Sequence, residues 1–212
     1  MRLRSMAAWR RVFSYYSYLL IVWGFFRLLF RFPEMVEEVW FKPVIWLLPL
    51  FWIWFGERDK VSFFAGSKIK AVLMGLGVGL LYMMVAAVSG WAKADANSLV
   101  IGQESWWGDI VGLGLVTAIS EEMVFSGYIF MNVWRLLRKL WLAMLVTALM
   151  AALIHVPIAV FVLNYSMVQL AGYLLLVVLV SIGNTWVMSK SKNVLAPIMS
   201  HWLWGVAVYA FR

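Results

Sequence analysis

Apolar and polar positions divide the chain into seven long apolar segments joined by short polar links. The segments cover approximately residues 13–30, 40–55, 71–91, 108–131, 140–161, 166–188 and 194–211. A bilayer crossing takes about 20 residues of helix, and each segment is near that length. In lipid every backbone N–H and C=O must be paired within the spanning element, which selects helices or a closed barrel. The unbroken apolar runs lack the alternation of a membrane barrel. The pattern therefore predicts an all-α polytopic membrane helix bundle of about seven transmembrane helices. It is expected to form one membrane domain, 1–212, without internal repeats or low-complexity tracts.

Composition points the same way. The 212 residues are 65% hydrophobic and 13% charged, against about 45–50% and about 25% in soluble domains. The net charge of +8 does not mark a nucleic-acid binder, because the basic residues fall in short clusters between apolar runs. Those clusters instead predict topology. A cytoplasmic N-terminus places Arg2, Arg4, Arg10, Arg11, Arg58, Lys60, Lys68, Lys70, Arg135, Arg138, Lys139, Lys190 and Lys192 inside. Only Arg31, Lys42, Lys93 and Arg212 then lie outside, beside Glu34, Glu37, Glu38, Asp95 and Glu104. The asymmetry follows the positive-inside rule and puts the C-terminus outside. The expectation is a multi-pass plasma-membrane protein, and the compact chain points to a prokaryotic one. With no cysteine there is no disulfide framework, thiolate metal site or thiol nucleophile. The N-terminal MRLRSMAAWRR runs into the first apolar segment without a small-residue cleavage site, so an uncleaved first span is expected.

Some polar and glycine positions have plain structural readings. Arg27, near the outer end of the first segment, is expected to snorkel to the interface, with pairing to a buried carboxylate as the sharper alternative. Trp46, Trp52, Trp54, Trp106 and Trp107 sit near segment ends and read as aromatic-belt anchors. Gly75-Leu-Gly77-Val-Gly79 lies inside an apolar span with no following Lys or Ser/Thr, which argues against a phosphate loop. Gly75 with Gly79, and Gly108 with Gly112, have the spacing of close helix packing.

Against this background the stretch TAISEEMVFSG, residues 117–127, stands apart. It sets Glu121 and Glu122 inside an apolar span, where one charged side chain costs about 2.5–3.5 kcal/mol even on the lenient insertion scale. The only two histidines are also inside spans, His155 in the fifth and His201 in the last. Ionisable groups within a membrane are a functional-site signal by default. Toward the span ends the titratable inventory adds only Asp109 and Arg27. At 1.5 Å per residue from the flanking basic clusters, Glu121, His155 and His201 lie at depths of about 20, 24 and 13 Å. These depths permit a common site. Successive helical residues point about 100° apart, so the two glutamates are not expected to face one point. Glu122 then needs its own partner, with Asn184, Gln169 and Arg27 as candidates.

The order Glu-Glu on one span, His on the next and His on the last resembles the CPBP family of intramembrane proteases. That family includes CAAX prenyl endopeptidases and the bacteriocin-immunity relatives called Abi proteins. Its E-E-x-x-x-R motif corresponds to Glu121 through Ser126, F-x-x-x-H to Ala151 through His155, and H-x-x-x-N or D to His201 through Gly205. NVLAPIMSHWLW also looks like the family's entry into its last motif. The similarity covers approximately residues 105–210. Three supporting positions depart from the pattern, being Ser126, Ala151 and Gly205 in place of Arg, Phe and Asn or Asp.

The resemblance implies hydrolysis of a peptide bond within the membrane, in a membrane-associated or lipidated substrate. Glu121 with His155 would activate a water, and His201 would stabilise the oxyanion. Glu122 belongs to the same catalytic set. One carboxylate and two imidazoles also suffice for a three-ligand open site of the zinc type. A metal-free glutamate mechanism is equally consistent, and H-E-x-x-H is absent. The three departures favour an alternative, a catalytically impaired relative acting as an immunity or membrane-binding protein. A proton-coupled transporter also uses buried Glu and His, but the repeats common in such folds are missing.

Overall fold

The computed structural model describes residues 2–57, 60–91 and 106–210, with side chains described for 6–57, 60–87 and 111–208. Arg58, Lys93, Asp95, Glu104 and Arg212 lie outside the described residues. The side chains of Arg2, Arg4, Trp106, Trp107 and Asp109, and the surroundings of Gly108, lie outside the described set as well.

Seven continuous helices account for the described chain. They are α1 (Arg2–Leu29), α2 (Glu34–Gly56), α3 (Lys68–Trp91), α4 (106–137), α5 (Leu140–Val162), α6 (Met167–Ser191) and α7 (Leu195–Ala210). Six are long and apolar enough to cross a membrane, and α7 contains a shorter apolar stretch, Leu195–Val208. The chain is an all-α polytopic membrane protein. Among the described residues the only β pairing is an isolated bridge between Phe64 and Asn193.

Helical periodicity decides what each helix buries. On α1, Val12, Tyr15, Leu19, Trp23 and Phe26 recur every three or four positions and are buried, while Phe13, Ile21, Phe25 and Leu28 remain exposed. An apolar outer face is what lipid requires. The phenols of α1 also tie helices together, Tyr15 donating to the Trp46 carbonyl at 2.7 Å and Tyr16 to the Met150 carbonyl at 2.8 Å.

Gly75 and Gly79 let α3 lie directly on α7. A Cβ at Gly75 would overlap Ala196 and Met199, and one at Gly79 would overlap Leu203. The packing expected of this pair is therefore found. Gly112 differs, since a Cβ there meets nothing. The close approach of α4 to α7 falls instead at Gly114 and Gly205, where a Cβ on Gly205 would be 4.0 Å from the Gly114 Cα. Trp46 also departs from the belt reading. It is buried beside Trp23 and Phe125 in edge-on contacts, whereas Trp52 is exposed and Trp54 donates to the Val61 carbonyl at 2.9 Å.

At one end of the bundle the α2–α3 connection is clamped down. Val194 N–H donates to the Phe63 carbonyl at 2.8 Å, and Ala65 N–H to the Lys192 carbonyl at 3.0 Å. Glu57 accepts from Tyr128 at 2.6 Å and from Arg11 at 3.2 Å. Phe63 then sits against Gly127, where any Cβ would collide with its ring. This anchors the middle of α4, the helix that carries the two glutamates.

Candidate active site

Three helices carry a π-helical segment near their polar residues. α2 is π-helical over Glu37–Phe41, α4 over Met123–Phe130 and α5 over Ile158–Val162. In α2 the Lys42 N–H reaches back to the Glu37 carbonyl, and Pro43, which has no N–H, follows it. Inserted π turns re-aim neighbouring side chains and are frequent at functional sites. Here they adjoin Glu37, Glu38 and Lys42, then Glu121 and Glu122, and lie three residues beyond His155.

Glu121, His155 and His201 come together from α4, α5 and α7. The Oε2 of Glu121 lies 3.7 Å from His155 Nε2 and 3.8 Å from His201 Nε2. Both separations exceed a hydrogen bond and suit a group held between them. The ring of His155 is oriented by its Nδ1–H, which donates to the Ala151 carbonyl one turn back at 2.7 Å. A neutral His155 therefore presents an Nε2 lone pair toward Glu121. The three residues line a cavity of about 150 Å³ whose apolar wall includes Trp23, Trp46, Ile154 and Ile158.

Glu122 is buried, and three groups account for it. Ser126 Oγ–H donates to its Oε2 from one turn along α4. Asn184 Nδ2 donates to Oε1 at 2.8 Å, and His201 Nδ1 lies 2.6 Å from the same oxygen. Asn184 is held in turn by Ser200, which donates to its Oδ1 at 2.8 Å. Of the three partners considered from sequence, Asn184 is the one that contacts Glu122. Gln169 instead caps its own helix with Ser166, and Arg27 pairs elsewhere. The glutamates leave α4 in different directions but converge on His201, whose opposite ring nitrogens face one carboxylate each.

The largest departure from the sequence reading lies in α2. Lys42 is 4% exposed, and its ammonium donates to Glu121 Oε1 at 2.6 Å and to Glu38 Oε2 at 2.6 Å. Glu38 also accepts from Thr117 at 2.9 Å and from Arg27 at 2.7 Å. The Arg27 guanidinium further binds Glu37 and stacks over Trp23. Arg27 thus does not snorkel; it is 3% exposed and closes a buried ionic chain with Glu37, Glu38 and Lys42. These residues look like an outer loop because hydropathy starts the second span near residue 40. The overlooked signal was the i, i+4 spacing of Glu38 and Lys42, which places opposite charges on one helical face. Removing one partner from such a buried pair costs about 3–5 kcal/mol, because the other charge is stranded.

The donor set does not fit a resident metal ion. Among the described residues no three His, Asp or Glu side chains are grouped to hold one. The second oxygen of Glu121 is already occupied by an ammonium, which would repel a divalent cation beside it.

Fold and site together define a polytopic membrane protein with a carboxylate–imidazole centre enclosed between its helices. Residues 103–207 match the family model of the Rce1-like type II CAAX prenyl endopeptidases. That segment matches the CAAX-protease, or CPBP, family. No curated protein and no solved structure gives a match.

Proposed function

We propose that the chain is an intramembrane endopeptidase in which Glu121 activates a water against a peptide carbonyl. The observation that carries this reading is Glu121 Oε2 facing the Nε2 atoms of His155 and His201 at 3.7 and 3.8 Å in a cavity of about 150 Å³ between the helices. At those separations one water spans the carboxylate and an imidazole with ordinary hydrogen bonds of about 2.8 Å. Glu121 takes its proton as the hydroxyl oxygen attacks the carbonyl carbon, then returns the proton to the leaving amine nitrogen. His155, with its Nδ1–H committed to Ala151, accepts from the water and holds it for attack.

His201 serves the oxyanion. Glu122 accepts from Ser126 and Asn184, which fits a carboxylate that takes the His201 Nδ1–H as well. With Nδ1 turned to Glu122, the ring presents Nε2 to the cavity, where an Nε2–H donates to the developing negative charge. Glu122 acts through His201 as its positioning partner.

The substrate class that fits is a membrane protein, a lipidated C-terminal peptide or a leader peptide. The setting is a prokaryotic plasma membrane with the N-terminus cytoplasmic. The test is cleavage of a farnesylated CAAX-type peptide by the purified chain in proteoliposomes. Glu121→Ala, His155→Ala and His201→Ala are each expected to abolish cleavage while the helical circular dichroism is retained. Full activity in Glu121→Ala would overturn the assignment.

A second reading, a non-catalytic immunity or membrane-binding protein on the same scaffold, draws on Gly205, which offers the cavity no side chain. Protection or partner binding that survives all three substitutions would support it.

A further inference from the structure

We propose that Lys42 is the positioning residue of Glu121, supplied by α2 from outside the segment that matches the family model. This rests on Glu121 being the base. The family motif places its cation at position 126, where this chain has a serine that donates to Glu122. The buried cation that touches a glutamate of the pair comes from another helix altogether.

Each contact restricts the next. Arg27 and Thr117 fix Glu38 from α1 and α4. Glu38 holds the Lys42 ammonium at 2.6 Å, one helical turn away. Lys42 in turn grips Glu121 Oε1 at 2.6 Å, so the carboxylate plane is set and Oε2 is left facing the two imidazoles. The π turn Glu37–Phe41 ends at Lys42 and brings both Glu38 and Lys42 to the inner face of α2. Among the described residues Lys42 is the one hydrogen-bond donor to the Glu121 side chain, and without it the rotamer is free to leave the line of attack. Lys42 touches neither imidazole and acts through Glu121.

The test uses the full chain in proteoliposomes with the farnesylated CAAX-type peptide. Lys42→Met is expected to lower kcat by about 30-fold or more, the scale on which small misplacements of reacting groups act, with KM changed less than about threefold. Lys42→Arg should recover at least about fivefold of that loss. A smaller loss, a loss carried by KM, or Arg no better than Met would overturn the proposal. Should Lys42→Met fail to fold, Lys42→Gln is read in the same way. A thermal-unfolding cycle over Lys42→Met, Glu121→Gln and the double variant needs no activity. The single shifts should together exceed that of the double variant by at least about 3 °C, roughly one strong contact in a chain of this length. If the wild type leaves the peptide uncut, the endopeptidase reading fails and this cycle alone decides whether Lys42 holds Glu121. Additive shifts would then overturn it.

Discussion

Glu121 and Glu122 differ by one position and take different partners. Glu121 is bound on one oxygen by Lys42 and turns the other toward two imidazoles. Glu122 is surrounded by donors and reaches the cavity only through His201. A base needs a free oxygen near the reacting atoms, which is why the proposed base is Glu121 rather than Glu122. Gly205 lines the same cavity, and a Cβ there makes only an ordinary contact with Gly114. Gly205→Asn is therefore expected to fold and to add a donor near the oxyanion, raising kcat by about tenfold of the about 10²–10³ that one such donor is worth. A fall in kcat at unchanged stability would place the oxyanion elsewhere. At this scale the sequence disclosed the residues that are costly anywhere in a membrane span, Glu121, Glu122, His155 and His201. It hid Glu37, Glu38 and Lys42, because charges near a span end read as solvated until tertiary packing buries them.

At the scale of elements, segment positions were legible because lipid imposes length and continuous apolarity on each helix. The seven apolar segments correspond to the seven helices, most ends agreeing within a few residues; α1, where Arg2–Leu29 begins well before residue 13, extends furthest beyond its segment. Pitch was not legible. No apolarity pattern marks Met123–Phe130 as π-helical, and that change of register sets where Ser126 and Gly127 point. Glycine spacing was legible in part, since Gly75 and Gly79 pack on α7 while Gly112 meets open space. Gly79→Val forces α3 from α7. At about 1–3 kcal/mol for overpacking and about 2–4 °C per kcal/mol in a chain of this size, the midpoint should fall by about 2–12 °C. Gly77→Val, where nothing lies within 4 Å, should leave the midpoint unchanged or slightly raised, because Val ranks above Gly in helix propensity. Equal shifts in the two variants would contradict the packing argument.

In the whole molecule, the family segment supplies the carboxylates and imidazoles, and α1 and α2 supply the cations that hold one carboxylate in place. Glu121 thus keeps a buried cation from α2, while Ser126 serves Glu122. It also bears on the ion. With an ammonium at 2.6 Å from Glu121, cleavage is expected to be unchanged within about twofold after exhaustive treatment with 1,10-phenanthroline or EDTA. Loss that zinc restores would contradict the side-chain mechanism.

The central claim is direct hydrolysis by a water that Glu121 activates, and isotope transfer tests it most directly. The protein in proteoliposomes is given the farnesylated CAAX-type peptide in H₂¹⁸O, and the new carboxyl terminus is weighed by mass spectrometry. The account predicts one ¹⁸O in the product of the wild type and no product from Glu121→Gln above the enzyme-free control. Cleavage by Glu121→Gln at the wild-type rate, or an intact peptide with the wild-type protein, would contradict it.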